Sequence, residues 1–222
     1  MSEWWTYRLS SFLLFSPRTY YRLFELYNAA IWPGQLAALA LGLVIFALLR
    51  RGSGKASRAV AGLIALCWLW TGIAFHASRY ATINFAAVYF AWAFGLEAAL
   101  WIWMGLRGGL TFDRPGGFRS RAGLAMVLFA VALQPLSGPL LGRSWKSAEI
   151  FGLAPDPTAV ATLGILVLAR ARHRWLLMVV PTIWCLVTGA TLLAMKAPDA
   201  FVAPLAAAFS VGLSFRRPAE GR

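Results

Sequence analysis

Residues 150–174 have the sequence IFGLAPDPTAVATLGILVLARARHR, an apolar segment that opens with prolines and an aspartate and ends in a basic cluster. Its apolar run, residues 157–169, is too short to span a membrane, because a helix that crosses about 30 Å of hydrocarbon needs roughly 20 residues. Asp156 stands between two prolines and fits a helix N-cap, since Pro157 would then take the first helical position, where a missing N–H costs nothing. The pattern predicts a helix that begins at Pro157, below the membrane surface.

Two interpretations of this stretch stay open on the sequence alone. In the first, residues 150–155 re-enter the bundle above a half-helix, because irregular backbone at hydrocarbon depth needs protein or a wet cavity around it. The helix dipole would then point into a polar site, as in many transporters. In the second, the helix is merely short and tilted, and Asp156 caps it at the interface.

The composition of the whole chain places it in a membrane. Of the 222 residues, 60% are hydrophobic and 13% charged, whereas soluble domains have about 25% charged residues. We therefore predict an all-α, polytopic transmembrane helix bundle with one domain: an interfacial N-terminal helical segment (1–26), the bundle (27–215) and a basic cytoplasmic tail (216–222). The predicted spans, about seven, are 28–49, 59–76, 83–106, 122–141, 157–169, 175–195 and 201–215.

Loop charges give the predicted orientation, since short cytoplasmic loops carry an excess of Lys and Arg. Alternate loops hold most of the 21 basic residues. This alternation predicts an N-terminus outside, a C-terminus in the cytoplasm and a multi-pass protein of the cell inner membrane. The basic residues on the predicted cytoplasmic side are Arg50, Arg51, Lys55, Arg58, Arg107, Arg114, Arg119, Arg121, Arg170, Arg172, Arg174, Arg216, Arg217 and Arg222.

The net charge of +13 fits loop anchors that face anionic lipid, so we predict membrane lipids as partners and no nucleic acid. Cys67 and Cys185 have no Cys or His neighbour at ligand spacing, which predicts neither a disulfide nor a metal site. His76 and His173 fall on opposite predicted sides, which disfavours haem. The sequence therefore predicts no cofactor.

The N-terminal segment is predicted to lie at the membrane interface. Trp4, Trp5 and Tyr7 are amphipathic rings of the kind that settle there. Ser16 fits an N-cap and Pro17 a first helical residue. We expect a helix on the outer surface that leads into the first span.

Polar residues within and beside the spans fall into two predicted layers. The outer layer is a candidate substrate-binding site, and the midplane layer, Glu97 and Gln134, is a candidate gating or proton-coupling pair. We expect one outward-opening cavity that narrows from the first layer to the second, because polar groups at hydrocarbon depth favour water or one another over lipid. The outer layer consists of Asn28, Gln35, His76, Arg79, Asn84, Asp156 and Thr158.

Glu97 and His76 each have two interpretations. Glu97 is either a titrating or substrate-binding carboxyl, or a protonated acid that ties its helix to Gln134 or a threonine. His76 is either a direct functional group or a side chain whose hydrogen bond fixes the following loop.

Three motifs together, YNAAIWPGQ (residues 27–35), FHASRYATIN (75–84) and FGLAPDPTAVATLG (151–164), resemble a family of uncharacterised bacterial multi-pass integral membrane proteins. The resemblance runs from about Phe24 to Leu205. Other members have a cysteine between the prolines of the third motif, where this chain has Asp156. The resemblance implies the helical fold and the membrane location, and it implies no activity.

Two function classes remain. The first is a transporter or channel for a small polar solute or ion, entered from the outer side. The second is a non-transport protein, either an accessory subunit or a sensor of a ligand or lipid. An enzyme is disfavoured, because no nucleophile–base set or metal cluster is visible. The chain shows no internal repeat, so a transporter of this size is expected to form a homo-oligomer or to be a subunit of a membrane complex.

Overall fold

The computed structural model describes residues 13–112, 116–171 and 173–215. It contains a helix in each of the seven predicted spans. Trp4, Trp5, Tyr7 and the predicted basic tail lie outside the described residues. The helices are Pro17–Ala30 (α1), Gly34–Arg51 (α2), Gly54–Trp70 (α3), Ala87–Leu106 (α4), Gly117–Leu128 (α5), Gln134–Leu140 (α6), Pro155–Leu168 (α7), Arg174–Ala194 (α8) and Val202–Phe215 (α9).

Five helical stretches in the described part of the chain are long and apolar enough to cross a membrane, by length and composition. They are α2, α3 with its extension to Thr82, α4, α5 with α6, and α8. The remaining two apolar helices, α7 and α9, have 14 residues each, or about 21 Å of helix. The count of seven spans and the orientation of the termini stay predictions.

Helix α1 begins as predicted. Ser16 is the N-cap, its hydroxyl accepts a hydrogen bond from the Thr19 N–H at 3.1 Å, and Pro17 is the first helical residue. One face of α1, which includes Phe24 and Tyr27, is buried. The helix therefore lies against the bundle by that face.

Two spans contain a π-helical turn. Thr71–Ala77 extends α3, and Phe129–Leu133 joins α5 to α6. The second turn lies directly before Gln134 and Pro135. Because proline has no N–H to donate to the preceding turn, a local widening there is expected, and the chain stays helical to Leu140.

Helix α7 lies at the centre of the bundle. It contacts α3, α5, α8 and α9, and every residue from its first to Val167 is buried. The predicted start was wrong by two residues: α7 begins at Pro155, Ala154 is the N-cap and Asp156 lies in the first turn. Pro155 fits the first position as well as Pro157 does, and the Asp156 side chain bonds to another helix instead of capping its own.

The segment before α7 packs against protein, as predicted for the half-helix. Ile150, Phe151 and Leu153 are buried. Gly152 has a φ of +77° in the left-handed region, and a Cβ atom there would stand 3.1 Å from Cys67 Sγ. The chain therefore folds tightly over the beginning of α7.

The other end of α7 is covered by a short strand pair. Thr111–Phe112 (β1) pairs antiparallel with Ala169–Arg170 (β2), and the Phe112 N–H donates to Ser57 Oγ at 3.1 Å. Between the two ends, α7 crosses α5 closely. A Cβ atom on Gly123 would lie 2.7 Å from the Gly164 carbonyl oxygen, so both glycines permit this approach.

Candidate functional site: an acidic cavity at the start of α7

The Asp156 carboxylate is held by two donors on α8. Its Oδ1 atom accepts from Trp184 Nε1 and from Thr188 Oγ1, both at 2.7 Å. Only 4% of the residue is exposed. A charged acceptor with two donors forms strong hydrogen bonds, so this carboxylate joins the first turn of α7 to the middle of α8.

A polar cavity of about 20 Å³ lies beside Asp156. A space of about 10–15 Å³ already holds one water molecule. The cavity is built from the start of α7, the segment before it, α6, the end of α8, and the start of α9 with the turn before it. Its lining consists of Gln134, Ser137, Glu149, Asp156, Leu192, Asp199, Val202 and Ala203.

Three of the lining residues carry carboxyl groups, and one arginine lies beside them. Arg143 forms an ion pair with Asp199 and donates from Nη1 to the Tyr21 hydroxyl at 2.8 Å. Burial opposes the charge on Arg143, but its interactions with Asp199 and Tyr21 together outweigh that effect, and the pKa of Arg143 is raised. Within the described residues, Glu149 and Asp156 have no ion-pair partner.

Two oxygen atoms of the lining residues are buried without a hydrogen-bond partner in the part of the chain that the structure describes. They are Gln134 Oε1 and Glu149 Oε2. Gln134 is only 7% exposed. Burial raises the pKa of Glu149 well above its ordinary value of 4.5, and the charge of Asp156 adds to that shift. The cavity therefore has an excess of acceptors, which favours a proton, a water molecule or a small cation.

A multivalent metal centre is not indicated. Among residues 13–112, 116–171 and 173–215 there is no group of three His, Cys, Asp or Glu side chains arranged to hold a metal ion.

Asn28 and Gln35 of the predicted outer layer hold the segment that leads to Glu149. Asn28 Nδ2 donates to the carbonyl oxygens of Lys146 and Ala148, each at 2.8 Å. Gln35 Nε2 donates to the Asn28 carbonyl at 2.7 Å. Both residues also line a surface groove of about 370 Å³. Asn28 and Gln35 therefore hold in place the backbone that precedes the cavity-lining Glu149.

Thr158 and Asn84 shape the backbone locally. Thr158 Oγ1 donates to the Ala154 carbonyl at 2.7 Å and accepts from the Gly152 N–H at 2.9 Å. It therefore fixes the tight turn before α7. Asn84 Oδ1 accepts from the Ala86 N–H at 3.0 Å, just before α4.

His76 is buried among aromatic rings, and both of its ring nitrogens are without a hydrogen-bond partner in the described residues. The centroid of its ring lies 4.4 Å from that of Phe94 and 4.7 Å from that of Trp184. Trp184 is the residue that donates to Asp156, so His76 supports the site through one intervening side chain. The predicted alternative, a His76 hydrogen bond that fixes the following loop, is not present among the described residues.

The other predicted residues lie apart from the cavity. Glu97 is buried, and its Oε1 accepts from Trp101 Nε1 at 2.8 Å, one turn further along α4. Arg79 lines a separate surface groove of about 360 Å³ with Arg18 and Arg22. The structure thus brings Asp156 and Gln134 together and distributes Asn28, Gln35 and Arg79 over two other grooves.

Sequence reasoning missed Arg143, Glu149 and Asp199. One signal was present: Glu149 and Asp199 precede the two short apolar runs on the same predicted side as Asp156. Three acidic residues beside two short spans is an uneven distribution for a chain with eight acidic residues.

The fold and the cavity define a class, a helical membrane protein with a buried cluster of carboxyl groups. The chain belongs to DUF6064, a family of unknown function, whose model matches residues 18–220. The predicted resemblance to an uncharacterised family is confirmed. No curated protein and no solved structure matches the chain.

Proposed function

We propose that this protein is an inner-membrane transporter for a proton or a small monovalent cation, with the acidic cavity at the start of α7 as its binding site. One observation carries the proposal: Gln134 Oε1, buried without a partner in the described residues, belongs to a residue that lines a water-sized cavity with Glu149 and Asp156.

The chemistry of the lining favours a cation. Carboxylate and amide oxygens bind hard cations, and Arg143 neutralises Asp199 alone. Ionisable groups inside a membrane bundle are costly and commonly mark ion and proton paths.

The packing below the cavity favours alternating access over an open channel. The Gly123–Gly164 crossing leaves no room for a Cβ atom, and α7 is buried along almost its whole length. An ion that leaves toward the other side therefore requires a movement of the helices around α7.

The test is ion flux in liposomes that contain the purified protein. A pH-sensitive dye would report proton entry under an imposed membrane potential, and parallel vesicles with a sodium or a potassium gradient would identify the cation. We expect flux in the wild-type protein and about a tenfold loss or more in Asp156→Asn and Glu149→Gln.

The matched control is Glu25→Gln, which removes a carboxylate from the exposed Arg22–Glu25 pair outside the cavity. Its flux should equal that of the wild type. Wild-type vesicles without flux of any of the three ions would contradict the transport proposal.

A second candidate, a pH sensor, is favoured by the contacts of the segment over the cavity. Asn28 fixes the carbonyls of Lys146 and Ala148, directly before Glu149, so a change of charge in the cavity would act on an ordered outer loop. Hydrogen exchange in residues 146–153 that changes with pH, in a protein without flux, would support this candidate.

A further inference from the structure

A second site lies at the opposite end of α7 from the acidic cavity. An elongated groove of about 630 Å³ runs between α8 and α9. Its walls are mainly apolar, and several of its large side chains, including Ile183 and Phe215, are exposed on the outside of the bundle. A groove of this kind on a lipid-facing surface suits a hydrocarbon chain.

One end of the groove carries a positive charge. Arg174 lines the groove, and its guanidinium donates to the Ala169 carbonyl at 3.3 Å and to the Ser214 carbonyl at 2.5 Å. Arg119 donates to the Val167 carbonyl at 3.3 Å, two residues from Ala169. Two guanidinium groups therefore bond to carbonyl oxygens at the end of α7.

These two charges lack a carboxylate in the described part of the chain. The ion pairs described there are Arg22–Glu25 and Arg143–Asp199. A guanidinium has five N–H donors, and carbonyl contacts leave several of those of Arg174 and Arg119 available. Arginine is suited to phosphate because its planar donors match the phosphate oxygens.

An unpartnered hydroxyl provides an independent indication. Ser214 lines the groove, and within the described residues its Oγ atom is buried without a hydrogen-bond partner. Trp175 stands at the same end and is 59% exposed, as expected for a ring at the level of lipid headgroups.

We propose that the α8–α9 groove binds one anionic phospholipid, with its phosphate against Arg174 and Ser214 and an acyl chain along Met178, Val179 and Val211. The occupant is a lipid because the groove joins a half-buried cation to an exposed apolar wall. The proposal does not depend on transport.

The test is native mass spectrometry of detergent-purified, delipidated protein that is titrated with phosphatidylglycerol or phosphatidylcholine. We expect about a tenfold or greater preference for the anionic lipid, and loss of that preference in Arg174→Gln. The matched control is Arg58→Gln, which removes an exposed arginine on the same predicted side but outside the groove. This variant should keep the preference for the anionic lipid.

A second variant keeps the test decisive if Arg174→Gln does not fold. Val211→Trp fills the apolar wall and leaves Arg174 intact, so it should also bind less of the added phosphatidylglycerol, while the melting temperature in detergent stays within a few degrees of wild type. Equal binding of the two lipids, or equal losses in Arg58→Gln and Arg174→Gln, would overturn the proposal. Displacement of the lipid by inorganic phosphate alone would also overturn the proposal. A dimer that buries the groove without lipid would do the same.

Discussion

Helices α7 and α9 have the same length and opposite surroundings. Each has 14 residues and a mainly apolar sequence. Proline and aspartate lie within the first turn of α7 and in the turn before α9. Every residue of α7 up to Val167 is buried, whereas α9 buries one stripe, Ala203, Ala207, Ser210 and Leu213. Length and hydropathy therefore do not separate a central helix from a peripheral one.

The two helices are also held in different ways. α7 is held along its flanks by glycine contacts with α5 and by the bonds of Asp156 to α8. α9 is held at its ends, by the Arg143–Asp199 ion pair before it and by the bond from Arg174 to the Ser214 carbonyl in its last turn. Substitutions at these positions test the difference.

The largest effect is expected at the attachment of α9. Arg143→Gln removes the partner of Asp199, and the two side chains are only 17% and 13% exposed. Breaking a largely buried pair costs about 3 kcal/mol. The measurement is the free energy of unfolding in detergent. Arg22→Gln, in an exposed pair, is the control and should cost less than about 1 kcal/mol.

A somewhat smaller effect is expected on the flank of α7. Gly164→Ala places a Cβ atom 2.8 Å from Met126 Cβ and 2.9 Å from the Gly123 carbonyl oxygen. Such overpacking costs about 2 kcal/mol and should lower the melting temperature. In α9, a Cβ atom on Gly212 would have no atom of the described residues within 4 Å, so Gly212→Ala should leave the melting temperature unchanged or raise it. Equal effects of the two substitutions would erase the distinction between the helices.

Asp156→Ala removes the acceptor shared by Trp184 and Thr188. A hydrogen bond inside a membrane bundle contributes about 0.6 kcal/mol on average, so the loss of two predicts a cost of about 1 kcal/mol. Asp156→Asn keeps an acceptor oxygen and should cost less. Unfolding measurements in which the asparagine variant is less stable than the alanine variant would contradict this geometry.

We expect Glu149 to make the stability of the fold depend on pH. It lies in the loop before α7, where burial raises its pKa well above 4.5. As the pH rises above that value, the unfolded chain releases this proton first, so the stability of the fold decreases until the folded pKa is passed. Melting temperatures from pH 4.5 to about 8 should therefore fall less steeply in Glu149→Gln than in the wild type. Parallel curves would show that Glu149 keeps no proton on folding.

The smallest effect is expected at His76. His76→Phe exchanges two ring nitrogens, which have no hydrogen-bond partner among the described residues, for apolar atoms inside an aromatic cluster. The change in unfolding free energy should therefore be neutral or favourable by up to about 1 kcal/mol. Thermal unfolding measures it. A loss of ion flux in a stable His76→Phe protein would show that the imidazole has a direct role, and Phe94→Leu, which alters the same cluster, is the comparison.

The positions of the helices were predictable, because the apolar runs end at proline, glycine and arginine, which break helices or anchor them. The buried segment before α7 was also predictable, since a run of 13 residues leaves hydrocarbon depth uncovered. The exact start of α7 was not, because Pro155 and Pro157 fit the first turn equally well. The choice depends on Trp184 and Thr188, which are far away in the sequence.

The site was predictable only in part. Asp156 and Gln134 stand out because polar residues within apolar runs are rare. Glu149 and Asp199 lie in loops, where a carboxylate is ordinary, and their convergence on one cavity depends on tertiary packing. Asn28 and Gln35 were predicted as ligand-binding residues, and the structure uses their amides to hold backbone carbonyls, an alternative that residue type alone does not distinguish.

The strand pair at the end of α7 bears on how the protein is made. α7 contains an aspartate, two prolines and a glycine, and an aspartate inside a segment strongly disfavours its insertion by the translocon. Residues 169 and 170 pair with 111 and 112, in a loop that is synthesised much earlier. We expect α7 to enter the bilayer late, together with α8 as a helical hairpin, after the earlier helices have formed the groove that receives it.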